Sequence, residues 1–214
     1  GWTSVALSSL MRGVWARRLR WTALHETSRM RLVRRDEVGE LGDTEIVART
    51  FALPLDDETA TVPELLGRKG VATYAVLDDG QTGYFRPELG GFRGFHAVKL
   101  TDQARRGRRN DVGTTDLAIA ALKSLEKKGQ FFLWVHYFGP HAPVERHTDV
   151  PSFGETAVDL YDHEIAFADR EIGRLLRFLD ERPSADHVAV ILASDHGEEF
   201  AGWRRNHGQS LREG

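Results

Sequence analysis

The sequence predicts an α/β fold, a three-layer sandwich with a mainly parallel central sheet covered by helices on both faces. Three observations predict it. Apolar runs of strand length occur at 71–76, 131–137 and 188–193, and the second is continuous enough to fit a strand buried on both faces. Helical periodicity lies between these runs, the alternation that builds a parallel sheet and gathers functional groups beyond the carboxyl ends of its strands. The 214 residues, 41% of them apolar, show no internal repeat and no domain boundary, so the chain reads as one domain with a real core.

Thr3 and Ser4 stand in front of a short apolar helix that stops at Gly13. Residues 14–60 are rich in Arg (Arg17, Arg18, Arg20, Arg31, Arg34, Arg35) and suggest no regular element; they read as a solvated face or, alternatively, an anion-collecting rim. Pro63 starts and Gly67 or Gly70 stops a helix that leads into the strand Val71–Val76. A Gly- and Phe-rich loop follows over 78–95, then the basic stretch Arg105, Arg106, Arg108 and Arg109, read as a solvated linker before a helix capped by Thr114 or Thr115 and ending near Lys127. A long helix over about 156–181 carries Tyr161, Ile165, Ala168, Ile172, Leu176 and Leu179 at steps of three and four. Pro183 and Ser184 end it, and the strand Val188–Ala193 runs straight into Ser194, Asp195, His196 and Gly197.

Composition excludes several classes. No run approaches the roughly 18 apolar residues of a membrane span, and disorder, collagen and coiled coil do not fit. The absence of Cys removes disulfides, thiolate metal sites and Cys nucleophiles, and a formal charge of −3 argues against a dedicated nucleic-acid binder. The chain begins at Gly1, without Met, next to an apparent catalytic motif and stops shortly after another, so it is expected to be a fragment truncated at both ends.

Asp195 and His196 are the strongest chemical signal. A strand delivers a carboxylate and an imidazole together to the functional edge of the sheet, a donor pair suited to Zn²⁺, Mn²⁺ or a similar ion; the competing reading is an Asp that caps the following helix. His136 and His141 flank the turn at the end of another strand, and His207 lies in a loop that can fold back over the same edge. A hydroxyl at a helix N-terminus, Thr3 or Ser4, sits where backbone N–H groups favour an anion, and a metal on that oxygen would make it a nucleophile. Asp162 and His163, adjacent on a helix, project about 100° apart and read as surface and packing residues.

In this order the segments resemble the sulfatase family of the alkaline phosphatase superfamily. The resemblance lies in Phe131–Tyr137 leading into Pro140-His141-Ala142-Pro143, in the long helix from Tyr161 through Leu176, in Ser194-Asp195-His196-Gly197-Glu198, and in His207-Gly208. Residues 61–76 are similar to the family's helix-strand unit, and Gly91 to Phe95 to its Gly-Phe loop. The resemblance implies an alkaline-phosphatase-like sandwich, Asp195 and His196 as metal ligands, His141 as a contact to the ester oxygens or leaving group, and His207 as a further imidazole. Counting back ten residues from Gly13 places Thr3 at the nucleophile position and adds it to the metal set. The resemblance implies a divalent ion, Ca, Mn, Zn or Mg, and puts the family's first metal-binding carboxylate upstream of Gly1, so the chain alone is expected to hold metal weakly and to be poorly active.

The sequence departs from sulfatases proper at informative places. Thr cannot be oxidised to formylglycine, because its Cβ carries a methyl group; the Pro and Arg expected after the nucleophile are Val5 and Leu7; the Lys-x-His segment is missing. The expected function is therefore a metal-dependent hydrolase of sulfate or phosphate esters with a Thr nucleophile. The alternatives are a phosphoryl or phosphoethanolamine-type transferase of the same superfamily, and a non-catalytic sulfatase-like binding domain. A shift of one residue would move the nucleophile to Ser4. The expected partner is a small-molecule, glycan or lipid ester, not nucleic acid. Family members are often periplasmic, exported or membrane-tethered through segments outside this chain, so the compartment is not read from it.

Overall fold

The computed structural model describes residues 2–29, 31–78, 93–101, 110–141, 144–201 and 204–206. Its elements are α1 (Trp2–Arg12), β1 (Thr22–Thr27), β2 (Leu32–Arg34), β3 (Val47–Leu53), α2 (Val62–Gly67), β4 (Ala72–Leu77), β5 (Ala97–Leu100), α3 (Asp111–Leu125), β6 (Phe131–His136), α4 (Ala157–Asp180), β7 (Glu199–Ala201) and β8 (Arg204–Asn206). They fall into two compact units, the first within Gly1–Leu65, Tyr84–Gly94 and Asp195–Gly197, the second within Leu66–Gly83, Phe95–Ser194 and Glu198–Gly214. None of the described helices is long and apolar enough to cross a membrane.

The first unit holds an antiparallel sheet in the order β2-β1-β3, where residues 14–60 had suggested no element. Its strands are short and their apolar alternation sparse. Leu24, Phe51 and Leu53 are buried on one face, which Glu26, Arg34 and Arg49 share, and Val33 is buried on the other. Glu26 and Arg49 are register partners on β1 and β3 and form an ion pair. Arg34 pairs with Asp56 at 2.8 Å and Arg31 with Glu45 at 3.3 Å, so these arginines form a solvated, carboxylate-paired face. Helix α1 buries Leu7 and Met11 and is tied to β3 by Ser4 Oγ, which donates to the Ala52 carbonyl at 2.9 Å. Arg12, at the end of α1, is buried beside Asp57 at 4.0 Å. Burial and the Arg93 charge lower the Arg12 pKa, and Asp57 and Glu64 work against them. Burial pushes Asp57 up, but the amides of Arg20 and Thr59 and the Arg12 charge outweigh it and leave the carboxyl below its ordinary value.

The second unit carries a parallel sheet in the order β5-β4-β6, so the chain is α/β as expected. Register pairs Ala72 with Phe131, Tyr74 with Leu133 and Val76 with Val135, which places these six on one face. Helices α3 and α4 cover that face through Ala118, Ala121, Leu122, Leu125 and Leu175. Thr73, Ala75 and Leu77, on the opposite face, are buried as well. Burying a side chain such as Leu125 contributes roughly 1.5–3 kcal/mol.

Three expectations need correction. Helix α3 starts at Asp111, ahead of Thr114 and Thr115, because the Asn110 side chain accepts the Gly113 N–H at 2.8 Å and caps it; both threonines are buried inside the helix. Strand β6 is half-buried along its length, because among the described residues it pairs only with β4 and forms a sheet edge. Residues 188–193 form no strand among the described residues, and Ile191 is 91% exposed. An apolar run records what a side chain prefers; a strand also needs a neighbour with free backbone groups.

Helix α4 follows the predicted bounds closely. Thr156 Oγ1 accepts the Asp159 N–H at 3.2 Å and Asp159 accepts the Thr156 N–H at 2.9 Å, a reciprocal capping box. Thr156→Ala should cost about 1 kcal/mol of stability, read as a lower urea midpoint with unchanged slope.

Candidate active site

Three of the singled-out residues come together in the first unit. Thr3 lies in the first turn of α1, and Asp195 and His196 follow the 188–193 segment. Thr3 Oγ1 is 2.8 Å from His196 Nε2, although 193 positions separate the two in sequence. Asp195 Oδ2 is 3.4 Å from the same nitrogen, and Asp195 Oδ1 accepts the His196 backbone N–H at 2.9 Å, which fixes the carboxylate beside the ring.

The other ring nitrogen sets the tautomer. His196 Nδ1 stands 2.9 Å from the Gly197 carbonyl oxygen. A carbonyl only accepts, so Nδ1 carries the hydrogen, and the Nε2 lone pair faces Thr3 and Asp195. The Thr3 hydroxyl then donates to Nε2, the arrangement of a nucleophile beside a base. A lone pair facing a carboxylate oxygen is an unfavourable contact that a cation between them relieves. Carboxylate oxygen, imidazole nitrogen and hydroxyl oxygen within this radius fit a divalent cation. Among the described residues no group of three or more His, Asp and Glu has metal-site geometry.

Thr3 and Ser4 differ in their surroundings. Thr3 is 7% exposed with its oxygen on His196; Ser4 is 1% exposed with its oxygen on the Ala52 carbonyl.

The remaining candidates lie elsewhere in the chain. His141 belongs to the second unit, where its N–H donates to the Phe138 carbonyl at 3.2 Å and its ring stacks on Phe138 at 4.5 Å. His136 ends β6 in the same unit, with its ring 5.8 Å from Phe138. His207 and Arg105–Arg109 lie outside the described residues. Asp162 is exposed, and His163 is buried with Nε2 accepting the His147 N–H at 2.9 Å, a packing role.

Two buried carboxylates escaped the sequence reading. Asp111 and Glu164 are 1% and 2% exposed, and both lie near the Phe138–His141 turn. Burial, reinforced by Asp78 and Glu164, pushes the Asp111 carboxyl up to about 6 against the pull of the Phe138 and Gly139 amides. Burial likewise pushes the Tyr137 phenol up to about 12. The missed signal was in α4, whose buried positions are His163, Glu164, Phe167, Ala168, Glu171 and Leu175. That face is rotated from the predicted stripe and leaves Ile165 exposed.

The family model described as Sulfatase matches residues 36–213, a range that includes Asp195 and His196 and leaves out Thr3. No curated protein matches. Among solved structures, the chain is similar to a protein in the alkaline phosphatase superfamily from Vibrio parahaemolyticus, at 16% identity and TM-score 0.48 over 58% of this chain and 32% of that one. It is also similar to the lipoteichoic acid synthase LtaP from Listeria monocytogenes, at 18% identity and TM-score 0.47 over 57% of this chain and 33% of that one. A third is the C-terminal periplasmic domain of EcEptC from Escherichia coli in complex with Zn, at 14% identity and TM-score 0.43 over 56% and 38%. The chain spans about a third of the length of these solved chains.

Proposed function

The chain belongs to the sulfatase family, and from that premise we propose that it acts on phosphate or sulfate esters by covalent catalysis, with Thr3 as nucleophile and phosphoesters as the better-suited substrates. The observation that carries this reading is the 2.8 Å approach of Thr3 Oγ1 to His196 Nε2 beside the Asp195 carboxylate. Threonine argues for phosphate over sulfate, because its Cβ methyl bars conversion to formylglycine while its hydroxyl accepts a phosphoryl group directly.

Asp195, His196 and Thr3 would hold a divalent cation, which when bound lowers the pKa of a hydroxyl and neutralises charge on ester oxygens. With His196 Nε2 turned to the cation, Thr3 Oγ1 loses its proton to solvent and attacks phosphorus in line, and the bond from phosphorus to the leaving oxygen breaks. His141 is assigned to the ester oxygens or the leaving group on the family resemblance alone, and the leaving oxygen takes up a proton from solvent. His207 is assigned to the substrate side on the family resemblance alone. Water then attacks the phosphothreonine, releasing phosphate and restoring the hydroxyl; an acceptor alcohol in the place of water would make the same chemistry a transfer.

The test is turnover of an aryl phosphate, a phosphodiester and an aryl sulfate by the protein in Ca²⁺, Mn²⁺, Zn²⁺ and Mg²⁺, with acid-quenched samples searched for a phosphoryl group on the peptide that contains Thr3. Phosphoester turnover with a labelled Thr3 is the expected result. Turnover of none of the three in any metal overturns the proposal in favour of a binding domain.

A further inference from the structure

The second unit buries Asp78, Asp111 and Glu164, and two of them hold backbone on either side of His141. Asp111 Oδ1 accepts the N–H groups of Phe138 and Gly139, each at 3.2 Å. Glu164 Oε1 accepts the Glu145 N–H, and Glu164 Oε2 pairs with His147 Nε2 at 3.0 Å. The remaining Asp111 oxygen, Oδ2, has no hydrogen-bond partner among the described residues. It lines a cavity with Gly139, Glu145, His147 and Glu164 that has room for about one water molecule.

Both carboxylates flank Gly139. A Cβ there would collide with Asp111 Oδ2 and stand 3.6 Å from Glu164 Oε2. Among the described residues no Lys or Arg bonds to either carboxylate and, of side chains, only the His147 imidazole meets Glu164, so an ionised Asp111 is left beside the Glu164 and Asp78 charges in a site that water scarcely enters. A proton on Asp111 Oδ2 removes one of the two charges and gives the unpartnered oxygen a hydrogen to place in the cavity.

We propose that a proton on Asp111 is a latch that positions His141, with Asp111 and Glu164 acting as positioning residues. This rests on the reading that His141 serves the reaction. The latch reaches His141 through Phe138, whose amide Asp111 holds and whose carbonyl and ring hold His141. The charged and titratable groups facing it are Asp78 at the end of β4, which accepts the Asn110 N–H at 2.6 Å, Glu145, which lines the same cavity, and His147, which stacks on His163 at 5.7 Å. Tyr137, bonded to Thr115, and Glu171 and Arg174 on α4 complete the surroundings. The raised Asp111 carboxyl, at about 6, sets the direction: the folded chain binds this proton where the unfolded chain has lost it, so the latch is closed below about pH 6 and opens as pH rises through that value.

Amide exchange in the protein tests this, expressed as protection factors for Phe138, Gly139, Glu145 and His147 between pH 5 and 8. Protection should fall by at least about tenfold across that range. Asp111→Asn, whose amide accepts and donates at the same places without titrating, should hold protection high and flat, and Asp111→Ala should hold it low throughout. Flat protection in the unsubstituted protein, or an Asn variant that behaves like the Ala variant, overturns the latch. The two proposals separate cleanly: if protection behaves as expected while His141→Ala leaves kcat unchanged, the latch stands and the assignment of His141 to the reaction falls.

Discussion

Thr3→Ala should lower phosphoester turnover by at least about 10³-fold, the order seen when a covalent nucleophile is removed. The effect should be confined to chemistry. Thr3 lies in the first turn of α1, alanine is the best helix former, and the packing residues of that helix are Leu7 and Met11. Thr3→Ser keeps an oxygen in reach of His196 and should retain much of the activity. Ser4→Ala is the decisive control, because Ser4 Oγ is spent on the Ala52 carbonyl. It should cost about 1 kcal/mol of stability and leave turnover within a few-fold. Steady-state kinetics with an aryl phosphate, beside urea denaturation of each variant, separates the two effects. The reverse pattern, with turnover lost in Ser4→Ala and kept in Thr3→Ala, would move the nucleophile by one residue and reopen a formylglycine route to sulfate esters.

Local signals in the sequence located what depends on local physics. The helical period over 156–181, the Pro63 start of α2 and the apolar runs of β4 and β6 are each carried by neighbouring residues, and the structure places an element at each. The β2-β1-β3 sheet was hidden because what holds it is pairing across distance: Glu26 with Arg49, and Leu24 with Phe51 in register. In a linear reading those arginines are only a basic stretch. Residues 188–193 failed the other way, apolar enough for a strand yet unpaired among the described residues.

The candidate site divides along the same line. Asp195 and His196 were legible because they are adjacent and follow an apolar run. Thr3 was reached only by counting in a family pattern, and its 2.8 Å contact with His196 is tertiary. Asp111 and Glu164 were illegible for a stronger reason. Sequence patterns treat carboxylates as exposed, and these two are buried because backbone amides and an imidazole of another segment receive them.

Asp195 carries the second large effect, and asparagine isolates it. Asp195→Asn keeps the oxygen that accepts the His196 N–H and removes the charge that faces Nε2. Stability in metal-free buffer should therefore change by less than about 0.5 kcal/mol. Stabilisation by a divalent cation should vanish, because a cation that binds only the folded chain adds about 2.7 kcal/mol at a hundred times its Kd, and that gain disappears with the donor. Melting temperatures with and without Mn²⁺, Zn²⁺, Ca²⁺ and Mg²⁺ would show it. With metal at about a hundred times the weak Kd expected of this chain, the unsubstituted protein should rise by several degrees, while Asp195→Asn and His196→Ala should not move. Thr3→Ala should fall between, because it removes a neutral donor and leaves the carboxylate and the imidazole in place. A full metal-dependent rise in Asp195→Asn would put the cation elsewhere in the fold and leave His196 as a base acting on Thr3 without it. Loss of the rise in all three variants, graded in that order, would tie the cation to the same three side chains that stand around His196 Nε2.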